Sequence, residues 1–510
     1  MKTVVVLGAS YGGNHASNML AKDLPAGWRV VTIDRNTHFN HLYAFPRFTV
    51  IPHEAQKGFI PYRRTLEFLP ESHTAPTTPP LTPPASPPAS TTGAVTTEEV
   101  NGSDDKSRHQ FIQGCITKLT PHSVTFIRPR EPENGSSSTS GSGSSSKGNN
   151  DLTNKVHAHL TYGKYDGEEE IIEFEYALYA LGASMPDPVN VWQDSHLHEE
   201  GVVLGSKKAG LKFMKSQGEK FKSADRILVV GGGALGIEYA GDLQYLYPEK
   251  KITLLHSRQR LMPVYPVETH TRVLESFQKL GVEVVLGERV MSWPEEMEEL
   301  NGKTKIVTTD KGRIFEADLV LACTGQKPHI SLMASISPAL ISPTTSRIRV
   351  SPTMQVHRGA DPAKSTASTA EQLAAMSLSA LPTPPASART SVSDSDSRPS
   401  EEVREEEEDL SHIFAIGDCA ETGAIQAGHT AYWQGEVAAR NILKLVNHGK
   451  EVEKLEEYVI TPPAIKLTVG FTTGIVARGD LVEEKDDGVE DLQSMVMWPN
   501  PEGGEIDITE

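Results

Sequence analysis

Two glycine-rich bends hold the residue types in this chain that could do chemistry. Gly8-Ala9-Ser10-Tyr11-Gly12-Gly13 follows the apolar, β-branched run Lys2 to Leu7. Gly231-Gly232-Gly233-Ala234-Leu235-Gly236 follows a second such run, Arg226 to Val230. Where a buried strand turns through glycines into a helix, backbone N–H groups and the positive end of the helix dipole converge on one spot, which suits a pyrophosphate. The first glycine permits the tight turn. A small middle residue lets the phosphate approach, and the last glycine lets the helix pack on the strand. The second bend matches G-x-G-x-x-G at every place. The first has Ser10 at its middle position, and serine can itself donate to a phosphate.

The elements around the bends fit this reading. After the first bend the pattern predicts a helix, Asn14 to Lys22, and a strand, Arg29 to Ile33, that ends in Asp34. An acid there can accept hydrogen bonds from a ribose diol. After the second bend a helix opens at Ile237, and the strand Lys251 to Leu255 ends in His256-Ser257-Arg258 instead of an acid. A carboxylate would repel a ribose 2′-phosphate, whereas histidine and arginine accommodate one. This leans toward NADPH, or toward tolerance of both nicotinamide dinucleotides. The stretch Arg35 to Arg47 is rich in histidine and aromatics and follows a strand end, where a ligand would lie.

Other segments complete the pattern. Phe111 to Ile116 and Ser123 to Ile127 are predicted to pair antiparallel. Val156 to Leu160 and Ile171 to Tyr176 are short strands. Ala177 to Ala183 is an apolar strand stopped at Gly182, Ala317 to Gly325 a buried strand ending in Thr-Gly, and His412 to Asp418 a buried strand ending in Gly-Asp. Lys305 to Ile314 is a hairpin, Thr430 to Val446 a helix, and Ile465 to Val476 a small C-terminal β unit. Stretches 72–107 and 132–154 and the insert 334–411, which ends in an acidic run, are low in complexity and predicted to be disordered. Arg347 to Val356 inside the last has strand character.

With 510 residues the chain has room for two or three domains, but 37% hydrophobic content is low for one compact globule, as the inserts would require. A net charge of -18 argues against nucleic acid or an anionic membrane as the main partner. The three cysteines, Cys115, Cys323 and Cys419, are far apart and form no CxxC, so no dithiol pair or metal site is indicated. Cys323 reads as a small core residue. The first strand starts directly at the N-terminus, no run is long enough to span a bilayer, and Lys2 excludes N-myristoylation. A cytoplasmic location is expected, with peripheral contact to an organelle membrane left open.

The order of motifs (fingerprint, Gly-terminated strand, second fingerprint, Thr-Gly strand, Gly-Asp strand, helix) resembles the two-dinucleotide-binding-domain flavoproteins of the pyridine nucleotide oxidoreductase superfamily. Within it, His38-Phe39-Asn40-His41 with Arg47, and Leu254-Leu255-His256-Ser257, resemble the apoptosis-inducing-factor-like group, ferroptosis-suppressor type. The resemblance implies an α/β fold of two Rossmann-like nucleotide-binding domains, the second inserted in the first. On that plan residues 1–200 and 412–450 form an FAD domain, 201–333 an NAD(P)H domain and 451–510 a small C-terminal region. It implies FAD against Gly8, Ser10, Gly12, Gly13, Asp34, Arg35, Arg47, Ile116, Gly182 and Asp418. NAD(P)H would lie against Gly231, Gly233, Gly236, Glu238, His256, Arg258 and Gly325. The activity implied is hydride transfer from NAD(P)H to flavin, then electron delivery to a small acceptor, a quinone first. A reductase of a small redox protein and a slow-turnover signalling flavoprotein are the alternatives. No catalytic acid or base can be named from the residues, and Lys2 departs from the acylated glycine of the suppressor branch.

Overall fold

The computed structural model describes residues 1–69, 108–129, 167–192, 203–293, 304–359, 408–452, 454–486, 488–499 and 506–509. The low-complexity stretches 72–107 and 132–154, residues 360–407 of the insert 334–411 and the expected strand 156–160 lie outside these residues.

The run Lys2–Leu7 is the central strand of a five-stranded parallel sheet. Its neighbours are Trp28–Asp34 on one side and Tyr176–Tyr179 on the other, with Val4 in register with Val30 and Tyr176. Gln110–Gln113 and Ile413–Ala415 complete the edges. Alternation assigns the two faces. Val4 and Val6 pack with Ala16, Leu20, Ala438 and Ile442 of the helices Tyr11–Asp23 and Gly428–His448. Val5 and Leu7 pack on the opposite face with Val124 and Phe126 of a three-stranded antiparallel sheet. Burial on both faces is what a continuous apolar strand demands, and each fully buried aliphatic side chain contributes about 1.5–3 kcal/mol.

The expected antiparallel pairing of Phe111 to Ile116 is corrected at Gly114. Residues up to Gln113 run parallel to Trp28–Asp34, and the Gly114 N–H donates to the Asp34 carbonyl at 2.9 Å. Only Cys115–Leu119, beyond the glycine, pairs antiparallel with Ser123–Ile127. A glycine inside a strand pattern marked the change of partner.

Between the strands Tyr176–Tyr179 and Ile413–Ala415 the chain builds a second sheet. It is parallel, in the order Glu283–Leu286, Lys251–His256, Arg226–Val230, Leu319–Ala322. The helix Ala234–Leu246 leaves its glycine-rich bend, and the predicted hairpin forms from Lys305–Thr309 and Ile314–Ala317. The second nucleotide-binding unit is therefore inserted in the first. Cys323 is buried, as the apolar run around it requires. The expected disorder of the insert from residue 334 is corrected over 334–359, which are packed: Leu340, Ile348, Met354 and Val356 are all buried, because their apolar side chains join the core of the first unit. A C-terminal antiparallel sheet, Ala464–Val469, Thr473–Arg478 and Leu481–Lys485, lies against the helix Ala234–Leu246.

Candidate functional site

The two bends are built by the same steric rule. At Gly13 a Cβ would sit 1.9 Å from the Gly8 carbonyl oxygen, and at Gly236 one would sit 1.8 Å from the Gly231 carbonyl oxygen. Gly8 and Gly231 have φ of +98° and +124°, a region that disfavours any side chain. Each bend thus delivers its helix N-terminus hard against the end of its sheet, with the first-turn N–H groups directed outward.

Those ends open on one cavity of about 880 Å³. Gly8, Ser10, Gly12, Gly13, Asp34, Arg35, Ile116, Gly182 and Asp418 line it from the first unit. Gly233, Glu238 and Arg258 line it from the second. The Asp34 carboxylate accepts from the Ala9 N–H at 2.7 Å and from the Asn36 N–H at 2.7 Å, tying the strand end to the bend. Arg35 lies 3.8 Å over the Trp192 ring, which shares the wall. Asp418 is half-buried, and burial raises its carboxyl above the usual range, with Arg347 opposing.

Five expected residues take other positions. Gly231, Gly236 and Gly325 are not on the cavity wall; the first two shape the bend behind it. His256 turns back on its own bend, where its Nδ1 accepts from the Gly232 N–H at 3.1 Å. Arg47, expected beside the flavin, is 1% exposed and away from the cavity, its guanidinium gripping Asp242.

Other wall residues were not individually expected, although Tyr11 belongs to the first bend and His41 and Tyr43 to the histidine- and aromatic-rich stretch. Tyr11, His41, Tyr43 and Tyr62 form an aromatic side, and Lys466 and Thr468 form part of the C-terminal side. A period-2 reading of Ala464–Val469 could have found the last two: Leu467 and Val469 are buried, which leaves Lys466 and Thr468 on the other face.

Glu238 sits one turn into the helix Ala234–Leu246 and accepts a hydrogen bond from the Thr468 N–H. Burial pushes its carboxyl up to about 8, the Asp242 charge adds to the rise, and Arg47 opposes it. Asp242 is raised to about 6 by burial against the pull of Arg47, so it is ionised at neutral pH.

The site fits dinucleotides. At Gly233 a Cβ would meet no atom within 4 Å, so the missing side chain leaves open space on the wall where a phosphate can approach the backbone. Ser10, at the N-cap of Tyr11–Asp23, makes no side-chain capping bond and is free to donate into the cavity.

Comparison with known proteins agrees. The family model for pyridine nucleotide-disulphide oxidoreductases matches residues 2–358. Fe-regulated protein 8 of Mycosarcoma maydis is 32% identical over 502 residues, 98% of this chain and 94% of that one. Apoptosis-inducing factor homolog B of Dictyostelium discoideum is 20% identical over 93% of this chain and 89% of its own. Human ferroptosis suppressor protein 1 is 30% identical over 168 residues, 32% of this chain and 41% of that protein. Among solved structures, an NAD-dependent persulfide reductase from A. fulgidus superposes with a TM-score of 0.51 at 18% identity, over 93% of this chain and 64% of that one, a likeness of fold. The chain belongs to the pyridine nucleotide-disulphide oxidoreductase family, on the apoptosis-inducing-factor-like branch that its motifs resemble.

Proposed function

We propose that the chain is an FAD-dependent oxidoreductase that takes reducing equivalents from NAD(P)H and delivers them to a quinone. The observation that carries this is the single cavity joining the first glycine-rich bend to Gly233 and Glu238 of the second. The N–H groups after Gly8 and Ser10 would hold the FAD pyrophosphate, Asp34 the adenosine ribose and Asp418 the ribityl side. FAD bound there supplies the two-electron chemistry that links a nicotinamide to an acceptor. The chain's own part is to bind, to orient and to shield. Tyr11 and Tyr62 exclude water from the wall, and Glu238 faces the nicotinamide end.

The domain reading goes with it: 1–200 and 412–450 for FAD, 201–333 for NAD(P)H, and 451–510 as a cover on the cavity. Arg258, exposed at the cavity rim with no acid at that strand end, favours the 2′-phosphate of NADPH. A quinone fits the aromatic side, where Tyr43 is 48% exposed at the opening. The three cysteines are unpaired, and Cys323 and Cys419 are buried, so no dithiol serves as a relay. Among the described residues no helix is long and apolar enough to cross a membrane. A cytoplasmic setting, with contact to a membrane surface for the quinone, completes the proposal.

The test is a stopped-flow bleach of the flavin with NADPH and NADH, followed by reoxidation with quinones, ferricyanide and small redox proteins. Rapid bleaching and fastest reoxidation by quinone are expected. A purified protein that takes up no flavin overturns the reading.

A further inference from the structure

Arg47 is a buried charge with every donor engaged. It comes from the helix Phe45–Val50 of the first unit and is 1% exposed. Its Nε and Nη2 donate to the two Asp242 carboxylate oxygens at 2.6 and 2.9 Å. Nη2 also donates to the Gly470 carbonyl at 2.9 Å. Nη1 donates to the carbonyls of Glu490 at 3.2 Å and Val489 at 3.5 Å. The guanidinium lies 4.1 Å from the Phe471 ring centre. An arginine has five N–H groups, and here there are five acceptors. They come from the second unit and from two C-terminal segments, so one side chain ties three parts of the chain together.

What Arg47 holds is cavity wall. Val489 lines the cavity, and so does Thr468, two residues before Gly470. Asp242 stands four residues after Glu238, on the same face of the same helix. We propose that the Arg47–Asp242 pair is a positioning device for Glu238: it seats the C-terminal wall over the nucleotide end and decides whether Glu238 keeps a proton. This rests on the reading that Glu238 faces the nicotinamide end.

The charges around Glu238 give the idea a sign. Asp242 and the Tyr239 hydroxyl are on its own helix, Arg47 on Phe45–Val50, and Lys466 on the C-terminal strand that also supplies the Thr468 N–H. Arg258 stands at the rim of the same cavity. Removing the Asp242 charge leaves Arg47 uncompensated, and the Glu238 proton is lost at lower pH. Removing Arg47 leaves two buried carboxyls facing each other, and the proton is retained to higher pH. A scaffold role alone predicts no such opposition.

The experiment uses the flavin-bound, oxidised protein. The carboxylic C=O infrared band of Glu238, identified by its loss in Glu238→Gln, is followed against pH in wild type, Asp242→Asn, Arg47→Gln and Arg47→Lys. The midpoint should fall by about one unit in Asp242→Asn and rise by a similar amount in Arg47→Gln. In Arg47→Lys, which keeps charge but not the fork, it should stay near wild type while NADP+ affinity, measured by calorimetry, drops about tenfold. If Arg47→Gln does not fold, the Asp242→Asn and Arg47→Lys pair still decides. An unmoved Asp242→Asn midpoint, or Asp242→Asn and Arg47→Gln midpoints moved in the same direction, overturns the proposal. Opposed midpoints in a protein whose Glu238 band ignores NADP+ leave the pair standing and refute the nicotinamide placement instead.

Discussion

The Tyr11 hydroxyl lies 3.0 Å from His41 Nδ1, joining the first glycine-rich bend to the loop after Trp28–Asp34 on the aromatic side of the cavity. Burial pushes the His41 imidazole down from 6.5 to about 4, so at neutral pH it is uncharged and the hydrogen bond joins two neutral groups. The unfolded chain binds this proton near its ordinary value and the folded chain does not until about pH 4. Between those values the unfolded state holds more protons, so stability falls as pH falls. A Tm profile should drop over that window, and His41→Asn should flatten the drop. An unchanged profile would show that the imidazole stays solvated.

The glycines of the second bend should separate by role. Gly236→Ala forces a Cβ to 1.8 Å from the Gly231 carbonyl oxygen and should lower Tm and NADPH affinity together. At Gly233 an added Cβ meets no protein atom within 4 Å, so the Tm of Gly233→Leu should hold while NADPH-driven flavin reduction falls ~100-fold or more. Flavin content, read from absorbance, should stay at wild type in both. Loss of flavin in Gly233→Leu would contradict the division between the two bends.

Both bends were legible in the sequence because sterics leave no other residue at Gly8, Gly13, Gly231 and Gly236, and local rules suffice there. The strand Lys2–Leu7 was legible for a similar reason, since a β-branched run buried on both faces has few alternatives. The partner of Arg47 was not, because Asp242 lies 195 residues away and an ion pair at that separation leaves no local pattern. The type of His256 suggests a phosphate ligand, whereas its Nδ1 accepts from the Gly232 N–H, a partner that the sequence pattern does not mark. The C-terminal wall was missed because a single lysine in a short strand reads as an ordinary solvent-facing position.

Arg258 tests the nucleotide preference. It lines the cavity, is exposed, and among the described residues its guanidinium has no hydrogen-bond or ion-pair partner to hold it elsewhere. Arg258→Ala should lower kcat/KM for NADPH about 10- to 100-fold and leave NADH within about threefold, the size of one charge-assisted phosphate contact. Equal losses for both nucleotides would place Arg258 away from the 2′-phosphate.

Glu238 sets stability against function. Its carboxyl is held up from 4.5 to about 8, chiefly by burial. As pH rises through that window the unfolded chain releases the proton and the folded chain keeps it, so the unfolded state is favoured and stability declines. Glu238→Gln cannot ionise, and its side-chain oxygen can still accept from the Thr468 N–H. The variant should therefore match wild type near pH 5 and exceed it in Tm at pH 8, while flavin reduction by NADPH slows at both. A carboxyl kept at a stability cost on a cavity wall is the mark of a group retained for its site. A Glu238→Gln protein that gains nothing at pH 8 would mean that the carboxyl is better solvated than its surroundings indicate.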